Sequence, residues 1–177
     1  MNTEMIASET KDFLLRASVN FVFLALAATI LVLLSGFSAA EAVDRQATVH
    51  SMGAQVMPFD LGKTQHVFEM TQTGGIQDVI VRDPKDADQV AHIQQHLRYE
   101  AARFGAGDFS DPASLHGADM PGIKELTKGV GRIEIAYSPL PNGARIMFET
   151  SDAALVTAIH RWFGAQLSDH GEDATYR

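Results

Sequence analysis

The sequence predicts an α+β fold: two ββα units forming a four-stranded antiparallel sheet with two helices on one face, preceded by one N-terminal hydrophobic helix. Three observations lead there. Two stretches of alternating apolar residues each break at a glycine-bearing turn, and each is followed by a segment with helical apolar spacing. Sliding the chain by 66 positions lays Val90 on Val156, Ile93 on Ile159 and Leu97 on Phe163. A plan of strand, turn, strand and helix that occurs twice closes into one sheet, because a single unit cannot cover its own apolar face.

Residues 1–42 read as a signal peptide or N-terminal membrane anchor. Residues 21–34 are an apolar run, Lys11 and Arg16 stand on its N-terminal flank, and small residues suit cleavage after Ala40 (Ser38, Ala40) or after Ala42 (Ala40, Ala42). Residues 17–34 number 18, the short limit for a membrane-spanning helix, so a retained anchor is the competing reading. The basic flank orients both N-inside. Either way the rest of the chain is extracytoplasmic: periplasmic, secreted or anchored to the inner membrane, touching the membrane only through residues 17–34.

Residues 43–63, with Gly53, Pro58 and Gly62, read as a lead-in segment holding one short strand near Val56, and residues 64–177 as the α+β domain. His66 to Met70 and Ile76 to Arg82 form the first hairpin around Thr73, Gly74 and Gly75. Val90, Ile93, Leu97, Ala101 and Phe104 share one helical face, with Asp83 or Asp86 placed to cap and Gly105 and Gly107 to stop the helix. A loop over 108–122 and a short helical piece near Ile123 lead to the second hairpin, 131–137 and 144–150. Asp152 caps the second long helix, whose apolar face carries Leu155, Val156, Ile159, Phe163 and Leu167. The tail after His170 is polar. Ile133, Ile135 and Tyr137 turn to one sheet face and Arg132 and Glu134 to the other, so the open face is charged.

Composition narrows the function. The full chain carries a net charge of −8. Removing residues 1–42 takes away Lys11 and Arg16 but also Glu4, Glu9, Asp12 and Glu41, which leaves −6. An acidic domain is a poor nucleic-acid binder. With no cysteine there is neither a disulfide framework nor a thiol nucleophile, and methionine is the only soft metal donor. The nucleophile-elbow, zinc-protease and phosphate-loop motifs are missing.

His92 and His96 stand i, i+4 on a helix, the spacing that brings two imidazoles to one ion. His116 and Met120 stand four apart in a loop dense in Gly, Pro and Asp, where an imidazole and a thioether can share one copper ion, with Asp111 or Asp119 as an oxygen ligand or orienting partner. His66 and Met70 repeat the spacing on a strand, where four residues span ~13 Å and cannot share an ion. They are expected to pack on the face of Phe68. His170 at a helix end is expected to act as a cation on the helix dipole.

His66-Val67-Phe68 with Gly74-Gly75, the run Gly107-Asp108-Phe109-x-Asp111-Pro112-x-x-x-His116-Gly117-x-x-Met120-Pro121-Gly122, and Trp162-Phe163-x-Ala165-Gln166-x-x-Asp169-His170-Gly171 together resemble a family of small exported bacterial proteins. The family is of unsettled role and often carries an automatic aspartate carbamoyltransferase label. The resemblance covers most of the chain after Gly53 and implies a bacterial origin. It supplies no catalytic residue, since the Ser-Thr-Arg-Thr and His-Pro-x-Gln motifs of that transferase are missing from this chain.

Together these observations point to an extracytoplasmic metal-binding module, with copper the expected ion and His116, Met120, His96 and His92 the expected ligands. A structural or interaction domain with incidental histidines is the alternative, meeting a membrane-associated partner protein or a second copy through the charged sheet face. A small enzyme pairing His116 with Asp111 or Asp119 as base and acid ranks third.

Overall fold

The structure, a computed structural model, describes residues 40–177, of which 44–177 form one compact unit. The apolar segment 17–34 lies outside the described residues. Among those described, no helix is long and apolar enough to cross a membrane.

Helix α1 covers residues 44–53 of this unit. A 3-10 turn, Leu61–Lys63, then leads into strand β1 (Thr64–Thr71), followed by β2 (Gly74–Val81), α2 (Ala87–Gly105), α3 (Ser110–His116) and α4 (Ile123–Lys128). The second half comprises β3 (Glu134–Leu140), β4 (Gly143–Glu149), α5 (Ala153–His170), a second 3-10 turn and β5 (Ala174–Tyr176). The sheet order is β3-β4-β2-β1-β5.

This corrects the expected four-stranded antiparallel sheet with two helices. The sheet has five strands and is mixed, because β5 pairs parallel with β1, His66 opposite Ala174 and Phe68 opposite Tyr176. Among the described residues there are five helices, where two long ones and the short piece near Ile123 were expected. The polar tail read as irregular because three residues are too few to show alternation. The stretch before Thr64 forms a helix and a 3-10 turn rather than a strand near Val56, and it places Val49, Met57, Phe59 and Leu61 in the core. The supposed loop over 108–122 contains α3, whose seven residues include Pro112 in the first turn, where proline is tolerated.

Within this sheet β2 and β4 lie side by side at the centre, paired antiparallel with Gln77 opposite Ile146. Gly74 and Gly143 open these two strands in equivalent places. A Cβ on Gly74 would stand 2.0 Å from the Phe148 carbonyl oxygen, and one on Gly143 would stand 2.0 Å from that of Val79. Only glycine lets the two hairpins approach so closely. The helices cross over: α2 packs on β3 and β4, and α5 on β1 and β2. Neither half can therefore bury its face without the other.

Capping fixes where both long helices start. The Asp86 side chain accepts from Gln89 N, and that of Asp152 from Ala154 N. Alternation along β1 turns Thr64, His66 and Phe68 to the helix side. Between the layers, Trp162 is 1% exposed and meets Phe104, Phe109 and Phe148 edge-on at 5.6, 5.5 and 5.5 Å, contacts worth about 0.5–1.5 kcal/mol each beyond area burial. On the opposite sheet face Asp78 is buried under Arg145, which donates to it twice at 2.7 and 2.8 Å, with Arg177 at 3.4 Å.

Candidate functional site

Two core-facing stripes carry polar residues where apolar ones would pack. On α2 the buried series runs Ile93, Leu97, Glu100, Ala101, Phe104. On α5 it runs Leu155, Ala158, Ile159, Trp162, Phe163, Gln166, His170. Helical spacing thus aims Glu100, Gln166 and His170 at the sheet, where β1 presents His66 and β2 presents Gln77. These side chains wall a cavity of about 50 Å³, completed by His96, by Asp111 and His116 of α3, and by Val56 and Met57 from the chain before the sheet.

The imidazoles are neutral, for a common reason. Burial drives His66 down to about 3 and His170 to about 2, helped in each case by the neighbouring histidines. Burial takes His96 to about 4, with Asp111 opposing and Arg103 assisting. His66 and His170 stack with ring centroids 4.7 Å apart and planes 16° from parallel. His116 meets His170 edge-on at 4.9 Å. The Nδ1 atoms of His66 and His170 have no hydrogen-bond partner.

His116 is held differently. Its Nδ1 lies 3.0 Å from Asp169 Oδ2, which also accepts from Arg45 at 2.7 Å, and Arg45 donates in addition to the His116 carbonyl. Burial resists ionisation of Asp169, but the bonds and charges of Arg45 and His116 outweigh it and hold the carboxyl below its ordinary range. Burial likewise keeps His116 below the usual histidine value despite Asp169. The pair is therefore a neutral N–H donor on a carboxylate, which fixes the tautomer and leaves Nε2 with the lone pair.

At the other side Glu100 is 5% exposed. Burial first, then a shared hydrogen bond with Asp111 and its charge, push Glu100 up to about 8 against the pull of Arg103. Arg103 Nη1 stands 3.5 Å from Glu100 Oε1 without a hydrogen bond, and is engaged by Asp108 and Asp111 instead. As a carboxylate Glu100 has no donor at either oxygen. As an acid it can give its proton to Asp111.

The expected ligand set divides. His96 and His116 reach the same cavity. His92 is exposed, on a separate groove beside His50 and Phe59. Met120 is buried in the core at 6% exposure and is not part of the cavity wall. Among the described residues no group of three or more His, Asp or Glu side chains is placed to hold a metal ion. His170, expected as a cation on the helix dipole, is instead buried and neutral. Asp119 is exposed and paired with Lys124.

Sequence reasoning missed Arg45, His66, Gln77, Glu100, Gln166 and Asp169 as members of one site, while the helical wheel allowed His96 and Trp162 to line one groove, and both line the cavity. For Glu100 and Gln166 a signal existed, a polar residue in register with an apolar stripe. For Arg45 and Gln77 there was none, because only the tertiary fold brings their elements here. No family model, curated protein or solved structure matches this chain.

Proposed function

We propose that this domain is an extracytoplasmic binding module for a small, polar, uncharged molecule held in the cavity between sheet and helices. One observation supports this most directly. His66 Nδ1, Gln77 Oε1, Trp162 Nε1, Gln166 Nε2 and His170 Nδ1 are buried without partners, and every one of these residues lines the cavity. Each orphan costs about 1–3 kcal/mol, so together they rival the whole stability of a domain. Something that enters must satisfy them. At ~10–15 Å³ for each water centre, a 50 Å³ space takes about three to five waters, or one molecule of similar size. Charge is disfavoured, since an ion buried without a counter-charge is far costlier than a dipole.

Trp162 is the only tryptophan in the chain, so its indole N–H resonance reports on the cavity alone. Titrating the full chain with polar compounds of three to five non-hydrogen atoms, acetamide and urea among them, should move that resonance saturably and raise Tm for at least one. If none does, water alone fills the cavity and this reading fails.

Copper binding is the second reading, favoured by the bond from His116 to Asp169, the kind of carboxylate contact that orients a metal-bound imidazole. Stoichiometric Cu(I) or Cu(II) binding followed by the same resonance, and abolished in His116→Ala, would put it first.

A further inference from the structure

The unpartnered atoms of the cavity wall differ in what they can exchange. The Glu100 carboxyl shares a hydrogen bond with Asp111, which leaves five atoms on five side chains. From α5 come Trp162 Nε1 and Gln166 Nε2, which only donate. From β2 comes Gln77 Oε1, which only accepts. The Nδ1 atoms of His66 on β1 and His170 on α5 donate or accept according to the tautomer of a neutral ring. All five residues are at most 9% exposed, so bulk water does not supply what is missing.

Their placement groups them by layer. Trp162 and Gln166 stand four apart on α5, where side chains are neighbours about 5–6 Å apart at Cβ, a spacing at which two donors can share one oxygen. In the β1–β2 ladder His66 pairs with Val79 and Gln77 with Phe68, so His66 and Gln77 are diagonal neighbours on the helix-facing side of the sheet.

Bonding capacity then separates the small polar classes. A ketone accepts two hydrogen bonds and gives none, so Gln77 stays unmet. An ammonium group has hydrogens but no lone pair, and leaves Trp162 and Gln166 unmet. A carboxylate has no hydrogen to give, and among the described residues no lysine or arginine lines the cavity to balance its charge. A hydroxyl enters three bonds, too few for five atoms. A carboxamide enters four and a urea six, through two lone pairs on the carbonyl oxygen and two or four N–H hydrogens. Resting on the reading of the cavity as a ligand site, we infer that its ligand is a carboxamide or urea of about three to five non-hydrogen atoms, whose carbonyl oxygen accepts from Trp162 and Gln166 and whose N–H groups donate to Gln77 and the histidine nitrogens.

The test follows the Trp162 indole N–H resonance of the full chain as urea, acetamide, propan-2-ol, acetone and acetate are added in separate titrations. The last four are close isosteres, so shape is held constant while bonding capacity varies. Each bond that a ligand fails to supply should weaken it about five- to 150-fold, the cost of a buried group left without a partner. Kd should therefore rise from urea and acetamide to propan-2-ol and again to acetone, and acetate should give no saturable shift. Gln77→Met removes the acceptor on β2 at similar volume and should weaken acetamide about tenfold while leaving acetone unchanged. Should that variant not fold, the order in the wild-type protein decides alone. Acetone or propan-2-ol binding as tightly as acetamide, or a Gln77→Met effect equal for acetamide and acetone, overturns the inference and leaves the cavity as a site for other neutral ligands. Acetate binding most tightly overturns it together with the uncharged class. No saturable shift with any of these compounds overturns both readings.

Discussion

Replacing Glu100 by Gln should change how stability follows pH, and the structure sets both sign and size. Three cavity histidines have folded pKa values near 3, 2 and 4 against 6.5 unfolded. As pH falls below 6.5 the unfolded chain takes protons that the folded one refuses, so each histidine removes about 1.4 kcal/mol of stability between pH 7.5 and 5.5, about 4 kcal/mol for the three. Glu100 acts in the opposite sense. Its folded pKa is about 8 against 4.5 unfolded, so the folded state holds a proton that the unfolded state releases. Its contribution is complete below 4.5 and is lost as pH rises through 8. Over the same interval, falling pH restores at most about 2.5 kcal/mol, and about half that if water entering at the cavity mouth screens the carboxyl. Wild type should therefore lose only about 1.5–3 kcal/mol between pH 7.5 and 5.5, whereas Glu100→Gln, lacking the offset, should lose about 4. Urea unfolding of both proteins across this range measures the two slopes directly. Equal slopes would refute the account, showing that Glu100 is not held as an acid.

Further outcomes follow from the same geometry. Asp169→Ala removes the bond and the charge that raise the His116 pKa, so the His116 ring signal should titrate lower still by NMR, with about 1–3 kcal/mol less stability. Gly74→Ala forces a Cβ to within 2.0 Å of the Phe148 carbonyl oxygen and should cost more than about 2 kcal/mol in a denaturant titration. Deleting residues 174–177 removes β5 and the contacts of Arg177 to Glu69 and Asp78. It should lower stability by about 2 kcal/mol, through lost backbone bonds and exposure of the β1 edge, and Tm in a thermal melt should fall accordingly.

The hairpins, both long helices and the two capping aspartates could be read from local pattern, because alternation, helical spacing and capping are properties of neighbours in the chain. Local pattern did not reveal β5, too short to alternate, or α3, whose Gly-, Pro- and Asp-rich surroundings look like a loop. It also misplaced charge. His170 follows Asp169 at a helix end and reads as a surface cation, yet the 3-10 turn and β5 fold back beside it and leave it beneath the chain. His92 and His96 share a spacing, but only His96 turns inward. Met120 has the donor atom expected for copper and serves as core.

By itself the sequence determined an acidic, cysteine-free chain with a hydrophobic N-terminal segment, strand and helix periods repeated twice, and seven histidines. The tertiary structure alone decided which of them meet. Each helix covers the hairpin of the other half, so the cavity is walled by residues of β1, β2, β4, α2, α3, α5 and the segment before the sheet, which no spacing rule connects. Burial there, a property of the assembled layers, strips the histidines of charge and keeps the proton on Glu100.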